Sequence, residues 1–340
     1  MYPRVFWEYP KKLPQFDETK WHVEGMSRVT VVGSYIVALV MDADRLPCEG
    51  ETVFGRNYHE THGGKGSNMA VAAARLGSKV NFVGKVGHDV HGQAFTDLLR
   101  REGVGIEGVS VSQTQPTATG IILFLSRRTN AIVIDHGANG ELAPSDMYRQ
   151  KDLIGPGGIV VSPLEVPLAA ARAGADLARS LGGKGILNPA PAQDLRKEDL
   201  STFFVLTPNE TEARVCLGLA PDDPTPLEVL AARWLELGSP HVIVTLGING
   251  VLWACAEGLR RIPALSVEAI DPVGAGDAFN AGLAVGLAEN MPMLDAICLG
   301  ITAASLSTEK RETIESYPRR SEVDRRLPEV QASVLRSGRA

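Results

Sequence analysis

Two segments of the chain place glycines directly beside acidic or polar side chains, a spacing suited to chemistry on a phosphate group. In residues 269–286, AIDPVGAGDAFNAGLAVG, a turn of Gly274, Ala275 and Gly276 precedes a predicted helix that begins at Asp277. Backbone N–H groups in such a turn bind anions, and the helix dipole stabilises a carboxylate there. The pattern favours phosphoryl transfer to a hydroxyl, in which the N–H groups neutralise charge and the carboxylate takes the proton. The alternative is that Asp277 only caps the helix, the ordinary role of one Asp at a helix start.

The second segment, residues 63–77, reads GGKGSNMAVAAARLG. Adjacent glycines let the backbone approach a ligand closely, and the N-terminus of the following helix favours anions or polar groups. A tight turn before a packed helix would explain Gly63 and Gly64 but would leave Lys65 and Asn68 without a role. We therefore predict that this segment binds a polar ligand.

Three other patterns carry less weight. Residues 103–108 match GxGxxG but follow a charged helical stretch instead of a strand, which disfavours a dinucleotide site. His59 and His62, like His88 and His91, form HxxH pairs; we predict solvated loop histidines, because neither pair lies on a clear helix and no third zinc ligand is placed. The sequence contains no GxxxxGK followed by Ser or Thr, so any ATP site is not a P-loop.

Around these segments the sequence alternates strands and helices from residue 29 onward. This alternation predicts an α/β fold with helices on both faces of a mainly parallel sheet. The continuous apolar run over 29–40 is typical of one buried strand. An extended stretch over 51–62 and a hairpin over 120–135 interrupt the rhythm, and we predict that they form a small sheet beside the main body.

Composition excludes several classes of function. With 34 Lys and Arg against 40 Asp and Glu, the 340-residue chain has a formal net charge of −6, which disfavours general binding to nucleic acid or anionic membranes. Its four cysteines are far apart and form no CxxC pair, which indicates a reducing compartment. The sequence has neither an apolar run of ~18–20 residues nor a secretory signal, so we expect a soluble cytoplasmic protein without a membrane partner.

The sequence divides into three parts. Residues 1–28 form an N-terminal extension that is either a flexible leader or an arm whose aromatic side chains dock on the body. Residues 29–318 form the main domain, and residues 319–340 form a charged C-terminal tail.

The two glycine segments together resemble the two signatures of the ribokinase-like (PfkB) carbohydrate kinases. The resemblance runs over about residues 29–318, and six motifs occur in the order found in that family. The four supporting motifs are DRLPCEGETVFG at 44–55, NPAPA at 188–192, TPNETEA at 207–213 and VTLGINGVLW at 244–253.

The resemblance implies a three-layer α/β/α fold with a small β lid, formed from about 36–62 and 113–135. It also implies an ATP-dependent, Mg²⁺-dependent kinase that phosphorylates a hydroxyl of a pentose-like sugar, and a homodimer formed through the lid. Two alternatives remain: a nucleoside kinase of the same fold, or a non-catalytic sugar or nucleotide sensor. The intact Asp277 and its glycine turn argue against the sensor, which would not need a base.

The resemblance also assigns roles to single residues. Asp277 would be the catalytic base, and Glu212 would hold Mg²⁺ through water. The anion hole would consist of Gly274, Ala275 and Gly276. The sugar would contact Gly64, Lys65, Asn68 and Glu165. The nucleotide and its phosphates would lie near Asn209, Thr245, Gly247 and Gly250. A monovalent cation, K⁺, would contact Asp271 and Val273.

The sequence departs from the family pattern in two places. Where the family has Asn and Asp for sugar binding on its first strand, this chain has Ile36 and Ala38, so the identity of the sugar is open. Residues 308–318 lack the glycine turn that helps to enclose the cation, and we predict that Lys310 or Arg311 replaces the ion.

Overall fold

The computed structural model describes residues 28–125 and 129–337. Nearly all of the predicted N-terminal extension (residues 1–27), three residues of the hairpin turn (126–128) and the last three residues of the chain therefore lie outside the described residues.

Strands and helices alternate along the described chain. The strands are β1 Arg28–Val32, β2 Ile36–Ala43, β3 Gly55–Gly63, β4 Lys79–Val86, β5 Gly105–Val111, β6 Thr119–Leu125, β7 Thr129–Asp135, β8 Ile159–Pro163, β9 Lys184–Asn188, β10 Val205–Leu206, β11 His241–Thr245, β12 Val251–Cys255 and β13 Gly258–Ile262. The helices are α1 Lys65–Arg75, α2 Val90–Arg101, α3 Pro144–Arg149, α4 Lys151–Ile154, α5 Leu168–Ser180, α6 Glu210–Val215, α7 Leu227–Leu235, α8 Ala275–Ala288, α9 Met293–Ser307 and α10 Arg320–Ser337.

The larger sheet has the strand order β13-β12-β11-β10-β9-β8-β1-β4-β5. All neighbours from β11 to β5 are parallel, and at one edge the pairings of β12 with β11 and with β13 are antiparallel, so only β12 runs opposite to the rest. Helices α1, α8, α9 and α10 pack their apolar side chains on one face of this sheet, whereas α3, α5 and α7 contribute to apolar clusters on the other face. The prediction of an α/β fold with three layers and a mainly parallel sheet is confirmed.

A second sheet of four strands, in the order β3-β2-β6-β7, stands beside the main one. Strand β2 is antiparallel to β3 and parallel to β6, and β6 forms a hairpin with β7. Strands β3, β6 and β7 come from the ranges in which the sequence predicts a small sheet, whereas β2 falls only within the 36–62 range that the resemblance implies. We call these four strands the lid sheet.

The prediction of one strand over 29–40 is wrong, because this run is split between the two sheets. The chain turns at Gly33, where a Cβ would lie 2.6 Å from the Cα of Gly66 at the start of α1. The Asn139 side chain then accepts from the N–H of Tyr35 (3.2 Å) and donates to its carbonyl oxygen (2.8 Å), so the backbone bonds of Tyr35 are used away from the main sheet. The continuous apolar run in the sequence therefore contains a break between two strands that belong to different sheets.

Helix α10 occupies most of the predicted charged tail. Val323, Val330 and Val334 on this helix are buried and belong to the largest apolar cluster of the molecule. The charges of this segment therefore lie on a helix that is packed against the body. Among the described residues, no helix is both long and apolar enough to cross a membrane.

Candidate active site

The N-terminus of α1 is built by a close approach between two segments of backbone. Gly64 has φ 91°, and a Cβ on this residue would lie 2.8 Å from the backbone nitrogen of Ile36, so a residue with a side chain does not fit here. Lys65 begins the helix and Asn68 follows one turn later, with only 5% of its surface exposed. The glycine pair thus brings a lysine and a buried amide to the edge of the lid sheet.

The N-terminus of α8 is a tight turn in front of a buried carboxylate. Gly274 has the left-handed φ of 81°, and the hydroxyl of Tyr317 donates to its carbonyl oxygen at 3.4 Å. A Cβ on Gly276 would meet nothing within 4 Å, so the space before this turn is open. Asp277 lies in the first helical turn and is 4% exposed.

The two helix starts meet at Asp277. Asn68 Nδ2 donates to Asp277 Oδ2 at 2.8 Å, and Lys65 Nζ lies 3.8 Å from Asp277 Oδ1. Glu165 Oε2 accepts from the backbone N–H of Lys65 (2.7 Å) and from the hydroxyl of Ser34. Four residues predicted from separate parts of the sequence therefore form one cluster.

Asp277 does not cap α8. Gly274 is the N-cap residue, no side chain caps this helix, and Asp277 Oδ1 is buried without a hydrogen-bond partner. Asn68 Oδ1 is also buried without a partner. Unsatisfied polar atoms that lie together in a native site need an explanation, and a ligand that bonds to them provides one.

Burial governs the ionisation of the carboxylates. It raises the pKa of Asp277, and the nearby Lys65 ammonium and the Asn68 amide oppose this shift. Burial likewise raises the pKa of Glu165 and of Glu212. The pKa of Lys65 is raised, mainly by the Asp277 carboxylate and against the effect of burial. The site therefore holds a carboxylate whose affinity for a proton exceeds that of an ordinary Asp.

The predicted nucleotide residues lie on neighbouring loops. Asn209 caps α6 by accepting from the N–H of Glu212, and Glu212 Oε2 accepts from the N–H of Asn209, both at 2.8 Å. The backbone of Asn209 bridges to Thr245, which leads into the turn between Gly247 and Gly250. The negative charge of Glu212 helps to raise the pKa of Lys65, which links this loop to the Asp277 cluster. In the described part of the chain, no direct contact joins the 247–250 turn to Asp277.

The predicted cation residues lie on the loop before α8. The Asp271 carboxylate accepts from the N–H of Val273 at 3.0 Å and from the N–H of Glu312 at 3.3 Å. The Lys310 ammonium lies 4.0 Å from Glu322 Oε1 on α10. That Lys310 or Arg311 replaces the ion stays a prediction.

The histidine pairs agree only in part with the prediction of loop residues, because His88 is an exposed residue of the segment between β4 and α2, whereas the other three lie on regular elements. His59 and His62 lie on strand β3, and His62 Nδ1 is 2.9 Å from the hydroxyl of Tyr35. His91 lies in the first turn of α2, and its Nδ1 is 3.9 Å from Glu60 Oε2. Within residues 28–125 and 129–337, no group of three or more His, Cys, Asp or Glu side chains is arranged to hold a metal.

Sequence reasoning missed three contributors to this site. Ser34 bonds to Glu165, Tyr317 bonds to the turn at Gly274, and Asn280 bonds to Thr207 within the protein interior. Ser34 follows Gly33 in the turn between β1 and β2, a local signal that could have identified it. Tyr317 and Asn280 reach their partners from 43 and 73 residues away, and no local pattern reveals such contacts.

A buried carboxylate and a lysine at two adjoining helix N-termini, next to an open backbone turn, form a site suited to phosphoryl transfer. The family model for the pfkB family carbohydrate kinases matches residues 26–320. The chain belongs to this family and is an ATP-dependent sugar kinase, so the resemblance seen in the sequence is confirmed.

Curated relatives and solved structures agree with this membership. The ribokinase of Haemophilus influenzae is 35% identical over 294 residues, which cover 86% of this chain and 96% of that protein. The deoxyribokinase of Salmonella typhi is 34% identical over 297 residues, or 85% and 95% of the two chains. The structure of Arabidopsis thaliana ribokinase complexed with ribose and ATP matches with a TM-score of 0.82 and 29% identity, covering 89% of this chain and 99% of that one.

Proposed function

We propose that this kinase transfers the γ-phosphoryl group of ATP to a hydroxyl of a pentose-like sugar, with Asp277 as the base. The observation that carries the proposal is the buried Asp277 carboxylate, with one oxygen unpartnered beside the Lys65 ammonium. The ribokinase relatives and the ribose and ATP complex support a sugar as acceptor over a nucleoside, and they support an enzyme over a non-catalytic sensor.

In this mechanism Asp277 orients the sugar hydroxyl and accepts its proton. The raised pKa of Asp277 suits that role, because a stronger base takes the proton more readily while the group stays ionised above its pKa. The N–H groups of Gly274 and Gly276 stabilise the charge that develops on the transferred group. The N–H of Ala275 donates to the Pro272 carbonyl oxygen at 3.2 Å, so it would have to exchange that bond to take part. Lys65 balances the negative charge of Asp277 on the sugar side.

The sugar is proposed to lie between α1 and the loop after β8. The Lys65 ammonium presents a donor there, and Asn68 presents its side-chain oxygen as an acceptor, because its NH₂ group already donates to Asp277. Gly64 leaves room for close approach, and Glu165 offers a carboxylate held by Ser34. The unpartnered Asn68 Oδ1 supports this placement, because a sugar hydroxyl would satisfy it.

ATP and Mg²⁺ fit the residues that adjoin this cluster. The open space before Gly276 suits a phosphate chain, and Thr245, Gly247 and Gly250 would border the nucleoside. Mg²⁺ keeps several of its water ligands, so the single carboxylate of Glu212 with the Asn209 side chain is a sufficient donor set. ATP supplies the phosphoryl group and Mg²⁺ neutralises part of its charge.

Asp271 and the Val273 carbonyl are proposed to hold K⁺.

Two further properties complete the proposal. The lid sheet exposes apolar side chains on β6 and β7, which supports a homodimer formed through the lid; these are Ile121, Phe124, Ile132, Val133 and Ile134. The four cysteines are free, which supports a reducing compartment such as the cytoplasm.

The proposal is tested by sugar-dependent release of ADP. Purified protein is mixed with ATP and one acceptor from a panel of D-ribose, 2-deoxy-D-ribose, D-fructose and adenosine, with Mg²⁺ or with EDTA. We expect ADP and a phosphorylated sugar in stoichiometric amounts with at least one pentose, and no reaction in EDTA. Phosphorylation of adenosine without any sugar activity would contradict the proposal.

A further inference from the structure

A hydrogen-bonded pair of polar side chains lies in the interior behind the proposed anion hole. Thr207 follows β10 and Asn280 lies in α8, and each is 1% exposed. Thr207 Oγ1 donates to Asn280 Oδ1 at 2.7 Å, and Asn280 Nδ2 donates to the carbonyl oxygen of Gly276 at 2.8 Å. None of the roles derived above uses this pair.

The orientation of the Asn280 amide follows from its partners. The Gly276 carbonyl can only accept, so the NH₂ end of the amide must face it. The oxygen end then faces Thr207, whose hydroxyl supplies the proton; this contact of 2.7 Å is shorter than the 3.3 Å from the same hydroxyl to the Leu187 carbonyl oxygen. Reversing the amide would break the bond to Gly276, so the pair has one arrangement.

The pair joins two parts of the site that are distant in sequence. Gly276 directly precedes Asp277 in the first turn of α8, whereas Thr207 lies two residues before Asn209, which caps α6 through Glu212. Thr207 is itself fixed, because Asn188 Nδ2 donates to its carbonyl oxygen at 2.8 Å. A continuous path therefore runs from the ends of β9 and β10 to the turn that would bind the phosphoryl group.

We propose that Thr207 and Asn280 are positioning residues for phosphoryl transfer. They hold the first turn of α8 at a fixed distance from the Asn209 and Glu212 loop, so that base, anion hole and metal ligand meet the same phosphate chain. This inference rests on the proposed function. Neither side chain touches the reacting groups, so both act through Gly276 and the loop after β10.

The alternative is that the pair only stabilises the fold, as buried hydrogen bonds generally do. The two roles predict different kinetics. A stabilising pair changes the amount of folded enzyme, whereas a positioning pair changes kcat of the folded enzyme and leaves KM for the sugar nearly unchanged.

The test compares Thr207→Val, which removes the hydroxyl at constant shape, with Thr207→Ser, which keeps it. With D-ribose or the best sugar of the panel, Thr207→Val should lower kcat about 10- to 100-fold, the loss expected from misplacing reacting groups by less than ~1 Å. Thr207→Ser should recover most of the rate. Thr302→Val is the matched control, because Thr302 is a buried threonine whose hydroxyl donates to the Cys298 carbonyl oxygen within α9. The kcat of this control should stay near that of the wild type.

A second readout is the affinity for ADP with aluminium fluoride and the sugar, a mimic of the transferring phosphoryl group. Thr207→Val should weaken it by the same factor as kcat, while affinity for ADP alone stays unchanged. If Thr207→Val does not fold, as judged by circular dichroism, Asn280→Leu decides with the same readouts, because it has a similar volume, adds no charge, and loses both the acceptor for Thr207 and the donor to Gly276. An unchanged kcat in a folded variant, or an equal loss in Thr302→Val, overturns the inference. A wild type without sugar activity would instead count against the proposed function.

Discussion

A buried carboxylate with an unsatisfied oxygen destabilises the fold that contains it, and Asp277 is such a group. Its pKa in the folded protein is raised above the ordinary value of 3.8 by burial. The folded state therefore binds the proton more tightly than the unfolded state, and stability falls as the pH rises through the raised pKa. A group that lowers stability at neutral pH is expected where function requires it.

Asp277→Asn should therefore raise Tm at pH 8, because it removes the more deeply buried charge, while the Lys65 side chain that loses its partner is 33% exposed and keeps contact with water. The difference from the wild type should shrink as the pH falls towards 4, because a protonated Asp277 and the amide that replaces it are both neutral. Differential scanning fluorimetry across this pH range measures the effect. Asp222→Asn, at an exposed aspartate, serves as the control and should change Tm little. A Tm of Asp277→Asn below that of the wild type at pH 8 would show that the carboxylate stabilises the fold.

Glu312 is another residue that we expect to lower the stability of the fold, here through strain in its backbone. It has φ 66°, a left-handed conformation that costs a residue with a side chain ~1–2 kcal/mol. Glu312→Gly should raise the free energy of unfolding by roughly 0.5–1 kcal/mol, since the greater freedom of glycine in the unfolded chain offsets part of the gain. Urea denaturation provides the measurement. Glu309→Gly, in the same loop but without positive φ, should lower stability; equal effects of the two changes would argue against strain at Glu312.

Among the elements, β2 is the one that we expect to influence which sugar the site accepts. Val37 on this strand packs into the main apolar cluster, so Ile36 and Ala38 lie on the opposite face, and both are buried. The start of β2 also touches the backbone of Gly64. This apolar face lies at the edge of the proposed sugar site around Lys65 and Asn68. Its side chains offer no hydrogen bonds to sugar hydroxyls on that side.

We therefore expect D-ribose to be a weak substrate. Ile36→Asn combined with Ala38→Asp should lower KM for ribose about 10-fold, since a hydrogen bond to a charged group contributes ~1.5 kcal/mol or more. The same double change should weaken the preferred substrate, because an unpaired carboxylate would face an apolar part of it. Steady-state kinetics measures both effects, and circular dichroism checks the fold. Val40→Asn, two residues further along the same face, serves as the control and should not lower KM for ribose. Ordinary efficiency of the wild type on ribose would refute this account of β2.

Most elements could be predicted from the sequence because their signals are local. The start of α1 and the turn before α8 are marked by glycines, and the alternation of strands and helices defines the sheet. The break between β1 and β2 is different, because it is fixed by Asn139, which lies 104 residues from Tyr35 in the chain. The pairing of Thr207 with Asn280 spans 73 residues. Contacts of this kind arise only when the layers pack, so no periodicity in the sequence reveals them.

For the molecule as a whole, the lid sheet leaves an apolar surface that the body does not cover. Ile121 on β6 and Val133 on β7 are directly paired across the hairpin and are 49% and 69% exposed. Covering such a surface by a second copy removes apolar area from water. The lid would then serve both assembly and the closing of the sugar site.

Val133→Lys should convert the proposed dimer to a monomer, because a charge at the centre of the buried face lacks a partner. Analytical ultracentrifugation at micromolar concentration gives the mass directly. Tyr148→Lys changes another exposed apolar residue on α3, away from the lid, and should leave the dimer intact. A wild type that sediments as a monomer, or a dimer that survives Val133→Lys, would exclude assembly through this surface.

The central claim is that Asp277 is the base that accepts the proton of the sugar hydroxyl. The most direct measurement is kcat of Asp277→Asn for sugar-dependent ADP release, together with its affinity for ATP. Because Asn keeps the shape and loses the base, we predict a fall in kcat of ~10²–10⁴ with ATP affinity nearly unchanged. A folded Asp277→Asn enzyme that phosphorylates the sugar at the wild-type rate would contradict the account.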